Sequence, residues 1–342
     1  MKKLGMPGIL FFLVSAQGLL AQGTPPLKLV QKYTLPASVK GHFDHLAIDI
    51  QGNRLFLTPE AFNAVLVLDV RSGKMIHTIS GIAVPHAALY RRDNARLYVT
   101  YGGGGAAGGV KAFDGQSYSL IKDVKLLPDA DPMAYDPATN YMYINNGGGD
   151  AHQTYSMTSV VDTNSMEKLQ DIKVPGTTLE AIALESSSPK LYLNNRDKNQ
   201  VDVIDRKSGK IIATWPVTMG KENVPLALDE ANHRLFVACR SGSIVVFDTR
   251  TGKELQSLPI ANVVDDLVFD PGSKRIYAPC GGGSGEVYVF QEQDPDHYQR
   301  LGQVPSAPGG KTALLVPSLK KYFVSVPASE TIPAQVYVYD VQ

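Results

Sequence analysis

The sequence predicts an all-β chain folded as a seven-bladed β-propeller, and three observations predict it. One phrase, a basic or polar residue followed by a short apolar run, occurs seven times: Arg54-Leu-Phe-Leu-Thr, Arg96-Leu-Tyr-Val-Thr, Tyr141-Met-Tyr-Ile-Asn, Lys190-Leu-Tyr-Leu-Asn, Arg234-Leu-Phe-Val-Ala, Arg275-Ile-Tyr-Ala-Pro and Lys321-Tyr-Phe-Val-Ser. Successive phrases start 42, 45, 49, 44, 41 and 46 residues apart, a period that suits four-stranded blades stacked around an axis. Turn formers recur at matching places, as in Arg71-Ser-Gly73, Asp205-Arg-Lys-Ser-Gly-Lys210 and Asp248-Thr-Arg-Thr-Gly-Lys253, where Gly accepts a positive φ.

The elements follow in order. Lys2 and Lys3, the mostly apolar residues 8–20, and the small-residue triplets Ala16-Gln-Gly18 and Ala21-Gln-Gly23 read as a cleaved signal peptide over residues 1–23. The apolar run is short for a membrane span, and no second one follows. The expectation is a mature protein with no membrane span, exported to the periplasm or secreted. Residues 27–35 form the first β segment. In blade one, strands A to D are expected at residues 43–50, 54–58, 64–70 and 74–80, with Gln51-Gly-Asn53 as the A–B turn. Blade seven offers only three strands, near Thr312–Val316, Lys321–Val326 and Gln335–Val341. Its missing outer strand is assigned to residues 27–35, so that the N-terminal strand closes the last blade and leaves no large open edge. Residues 24–342 are read as a single domain.

Composition narrows the partners. Lys plus Arg and Asp plus Glu both number 33, a formal net charge of zero with no basic stripe, which argues against a nucleic-acid partner. The expected partner is a ligand, or a protein of the envelope or the extracellular space. Strand alternation places the D–A and B–C loops on one face. That face collects Gly102-Gly-Gly-Gly105, Gly147-Gly-Gly149 with Asp150 and His152, and Gly281-Gly-Gly283. Irregular loops gathered on one face are where binding usually sits.

The starts of the A strands lie at the channel mouth on this face. Round the ring they supply His42, Asp44 and His45, then His86, Asp129 and Asp131, Glu180, Glu222 and Asn223, Asp265 and Asp266, and Lys311. Imidazoles and carboxylates suit a borderline divalent ion, and His42, His45, His86, Glu180 and Asp265 are the candidate ligands. A cofactor, if there is one, would be such an ion. A solvated polar mouth with no ligand is the plain alternative, and a metal-free acid–base site a third. Regular strand alternation would send His42 and Asp44 to one side and His45 to the other, unless the strand begins after Asp44. Cys239 and Cys280 stand five residues after Arg234 and Arg275, at equivalent B-strand ends. A disulfide, two buried thiols and a metal or redox use all remain open for them.

Arg96-Leu-Tyr-Val-Thr-Tyr101, together with Gln200-Val-Asp-Val-Ile-Asp-Arg-Lys-Ser-Gly-Lys-Ile-Ile212, resembles the YVTN-type β-propeller repeat family of exported proteins. That resemblance implies the propeller fold and a binding role. Pro85-His86-Ala87 before Leu89-Tyr90 is similar, over this one segment, to the seven-bladed lactonase family. It implies His86 as general base, with Glu180 as a possible partner. Two functions are therefore expected: a binding or scaffold propeller that uses the Gly-rich face, or a metal-assisted hydrolase or lyase, or a lactonase, at the channel mouth.

Overall fold

The computed structural model describes residues 24–103 and 107–342. The expected signal peptide, and Gly104 and Gly105 of the first Gly run, lie outside the described residues. The rest forms seven four-stranded antiparallel sheets, each with its A strand innermost and successive strands outward. Blade one comprises Ala47–Asp49, Arg54–Leu57, Ala64–Asp69 and Met75–Ser80. Blade two has Pro85–Arg91, Arg96–Gly103, Ala107–Asp114 and Leu120–Leu126. The A strands of blades three to six are Met133–Asp136, Leu179–Leu184, Asn223–Asp229 and Val268–Asp270. Blade seven holds Thr312–Val316, Lys321–Val326 and Gln335–Val341, and Leu27–Thr34 pairs antiparallel with the last of these as its outer strand. The closure expected from the strand count is what forms. No helix among the described residues is long and apolar enough to cross a membrane.

The repeated phrase explains the packing. Its third residue is always aromatic: Phe56, Tyr98, Tyr143, Tyr192, Phe236, Tyr277 and Phe323. Side chains alternate across a strand, so this ring and its two flanking aliphatics must face opposite neighbours. Leu55 and Leu57 pack with Phe323 and Val338 of blade seven, whereas Phe56 packs with Leu97 and Val99 of blade two. Tyr98 joins Met142 and Ile144 of blade three, and Tyr143 joins Leu191 and Leu193 of blade four. Tyr192 meets Leu235 and Val237, Phe236 meets Ile276 and Ala278, and Tyr277 meets Tyr322 and Val324. Each sheet thus buries both faces, and the cores run between blades rather than within them.

Blade one departs from its expected A strand. Regular pairing begins only at Ala47, and before it Phe43 makes an isolated bridge to Pro59. Residues 43–46 are therefore free of strict alternation, which decides where Asp44 and His45 point. Cys239 and Cys280 are free, buried thiols, each in the apolar core of its own inter-blade contact. Burial pushes both thiols up to about 12, which leaves them protonated and inert at neutral pH.

Candidate functional site at the channel mouth

Bulges at the starts of the A strands aim side chains into the channel. The pairing register slips between Pro85 and Ala88, between Leu179 and Ile182, and between Asn223 and Leu226, at the same place in blades two, four and five. A bulge turns a side chain out of alternation. Each is pinned by a B strand. Thr100 accepts the Ala87 N–H at 2.9 Å, Asn145 of blade three donates to the Glu180 carbonyl at 2.7 Å, and Asn194 of blade four donates to the Val224 carbonyl at 2.9 Å. His86 and Glu180 sit within their bulges and face the axis.

They meet in a cavity of about 220 Å³ at the mouth. Asp44 and His45 both line it, as do Asp129, Asp131, Asp265 and Lys311. Of the five candidate metal ligands, His45, His86, Glu180 and Asp265 come to this one cavity. His42 stays exposed outside it, with its backbone carbonyl accepting the Glu60 N–H at 3.1 Å. Glu222 is likewise exposed, and Asn223 lies outside the cavity with its Nδ2 donating to Asn194 Oδ1 and the Gln200 carbonyl, both 2.9 Å.

An alternating carboxylate–imidazole chain runs along one wall. His45 Nδ1 donates to Asp266 Oδ1 at 2.8 Å, and its Nε2 lies 3.3 Å from Asp44 Oδ1. His86 Nδ1 donates to Asp44 Oδ2 at 2.8 Å, and its Nε2 lies 3.8 Å from Asp129 Oδ1. Asp131 Oδ2 stands 3.9 Å from His86 Nδ1. Among the described residues, Asp44, His86 and Asp131 are the group that brings one ligand atom each within 4.8 Å of one another. His86 is only 8 % exposed, yet its Nε2 has no hydrogen-bond partner, and neither has the buried Asp131 Oδ1.

Burial and neighbouring charges set the ionisation. Burial opposes charge on His86, but Asp131 and Asp44 outweigh it and raise its pKa to about 10. His45 is held well above its usual value against burial by Asp266 and Asp44. Burial would raise Asp44, but His45 and His86 hold it well below the ordinary carboxylate range. Asp131 is raised well above that range by burial and by Asp44. Glu60 and Asp129 are raised too, chiefly by burial. On the opposite wall, burial and Asp265 push Glu180 up to about 7.

Three charged lining residues escaped the sequence reading: Glu60, Arg196 and Arg240. Arg196 Nη1 lies 3.2 Å from Glu180 Oε1, while Arg240 and Lys311 both pair with Asp265. Arg240 Nε is buried without a partner. A signal for them exists. Each stands six residues after the start of its phrase, beyond Arg54, Lys190 and Arg234. In blades two, three and six that position is Gly102, Gly147 and Gly281. A Cβ on Gly102 would fall 2.5 Å from Asp129 Cα, so the glycine there lets the Asp129 loop close on the cavity.

The mouth is thus polarised. Blades one to three supply Asp44, Glu60, Asp129 and Asp131 against two imidazoles. Blades four to seven supply Arg196, Arg240 and Lys311 against Asp265 and Glu180, whose pKa is pushed up to about 7.

Fold and cavity together define a seven-bladed β-propeller with a polar cup at its channel mouth. No protein-family model matches the chain. It is 32% identical over 146 residues to "Uncharacterized protein YncE" of Salmonella typhimurium strain LT2, covering 42% of this chain and 39% of that one. It is 31% identical over 124 residues to the protein of the same name from Escherichia coli strain K12, covering 35% and 33%. The chain spans about two fifths of the length of the first of these relatives. Among solved structures, a chain of the "Crystal Structure of Mitotic Checkpoint Complex" superposes with a TM-score of 0.72 at 13% identity, covering 98% of this chain and 99% of that one. A chain of "Kuenenia stuttgartiensis Hydrazine Synthase" does so at 0.70 and 18% identity, covering 88% and 96%. At those identities the likeness shows the fold alone.

Proposed function

We propose that this chain is an exported binding propeller that holds a small anionic ligand in the cup at its channel mouth. The observation that carries the reading is the basic wall. Arg240 and Lys311 share one carboxylate, Asp265, and Arg240 keeps a buried Nε–H without an acceptor. A ligand carboxylate or phosphate would satisfy that donor in a charge-assisted bond. The residues after Lys2 and Lys3 support export, because a basic start followed by an apolar run and small residues is how a signal peptide is built.

The test is titration calorimetry with malonate and with inorganic phosphate. Wild type is expected to bind one of them saturably. Arg240→Ala is expected to weaken binding at least about tenfold, since truncating a half-buried, hydrogen-bonded charged partner costs about 1.4 kcal/mol or more. Arg300→Ala, on an exposed outer strand, is expected to leave it unchanged. Binding that survives Arg240→Ala, or no binding of either anion, contradicts the reading.

Glu180 favours a second reading, a metal-assisted hydrolase or lyase. A carboxyl pushed up to about 7 suits proton transfer near neutral pH, whereas a protonated His86 is no general base. Turnover of a γ-lactone and aryl-ester panel, abolished in Glu180→Gln with malonate binding kept, would carry this reading, and wild type inert on the panel would end it.

A further inference from the structure

We propose that Asp44, His86 and Asp131 form a site for a first-row divalent cation on the wall of the cup opposite Arg240. The proposal rests on the channel-mouth reading and supplies the cation that an anionic ligand in the cup would meet. Three observations carry it. The three side chains come from three different blades or the loops that lead into them, yet they place one ligand atom each within 4.8 Å of one another. The distances from His86 Nδ1, 2.8 Å to Asp44 Oδ2 and 3.9 Å to Asp131 Oδ2, bracket the separation of two atoms bound to one small ion. Buried polar atoms also stand unserved on two of the three residues, His86 Nε2 and Asp131 Oδ1, whereas buried polar groups of native folds generally find a partner.

The chemistry selects the ion. One imidazole and two carboxylates form a mixed nitrogen–oxygen set that suits zinc, manganese or iron better than calcium, which prefers oxygen throughout. With the ion on Nδ1, the remaining ring proton sits on Nε2. Asp129 Oδ1 stands 3.8 Å away, beyond hydrogen-bond reach, and an approach of about 1 Å would make it the acceptor that Nε2 lacks. A carboxylate behind a metal-bound imidazole is the usual outer support, and it fixes the ring's orientation. Gly102 admits the loop that brings Asp129 there. Asp44, His86, Asp131 and Arg240 line the same cavity, so a ligand held there would meet both the cation and the basic wall.

The purified chain, stripped with chelator, is titrated with Zn²⁺ and with Mn²⁺ by calorimetry. One ion per chain is expected, with affinity reduced at least about tenfold in both His86→Ala and Asp131→Asn, and unchanged in His297→Ala, a surface residue paired with Asp294. Because His86→Ala also removes the contact with Asp44, Co²⁺ is added to wild type as well. A stoichiometric change in its visible absorption is expected from nitrogen–oxygen coordination. Overturning results are no stoichiometric ion, no cobalt signal, or wild-type affinity in either variant. If malonate still binds through Arg240 when no ion does, the cation site alone is wrong. If neither binds, the channel-mouth reading falls with it.

Discussion

Side chains in this ring are specified by which neighbour they must reach, and the buried carboxylate of Glu292 shows what happens when a partner is a like charge. Glu292 is 1 % exposed between blades five and six. Its Oε1 accepts from Asn232 at 3.2 Å, its Oε2 has no partner, and burial with Asp229 beside it pushes its pKa up to about 7 from 4.5. The folded pKa is raised, so the folded chain keeps a proton that the unfolded chain releases. Stability is full below about pH 4.5 and is lost as pH rises through about 7. Glu292→Gln keeps the shape and removes the charge. It is expected to flatten the fall in urea-unfolding stability between pH 5 and pH 8, and to match or exceed wild type at pH 8. Parallel pH curves for the two proteins would contradict this. The same scale shows what the chain hides from a reader of its letters. His86, Asp129, Asp131, Glu180 and Lys311 were legible at the mouth because each stands at the start of an A strand. Glu60, Arg196 and Arg240 were not, because they stand in B–C loops and share only an offset from the repeated phrase. The convergence of Asp44 on His86 is not written in any spacing; it arises because blade one delays its regular strand to Ala47.

At the scale of elements, the closing strand carries a clear expectation. Leu27 is buried in the core between blades six and seven, whereas Val30 on the same strand is 43 % exposed. Leu27→Ala is expected to cost about 2–5 kcal/mol in chemical unfolding, the range for emptying a packed leucine site. Val30→Ala is expected to change stability by no more than about 0.5 kcal/mol. Equal effects would mean that the strand is not seated as a blade edge. This element was legible from counting alone: three strands at the C-terminal end and one spare at the other left one arrangement with no open edge. Strand bounds in blade seven also match expectation, because each is a short, nearly continuous apolar run set off by polar or Pro-containing segments. Bulges at Pro85–Ala88, Leu179–Ile182 and Asn223–Leu226 were invisible, since each is held by a hydrogen bond with a B-strand side chain 13 to 35 residues away, Thr100, Asn145 or Asn194, rather than marked by a local residue choice.

Across the whole molecule, the period determines the ring and the ring determines where charge gathers. A chain of zero formal charge still assembles a cup whose one wall is carboxylate-rich and whose other is basic, because the two walls come from different blades. Composition averages this away, and only the circular order of the blades recovers it. The fold was therefore readable from repetition, while the site lives where repetition breaks. The most direct test is anomalous diffraction at the zinc edge from crystals grown with Zn²⁺ and malonate. One strong peak is expected beside His86 Nδ1, between Asp44 and Asp131, with malonate density reaching toward Arg240. A cup without that peak, or zinc only at surface sites such as His297 and Asp294, would contradict it.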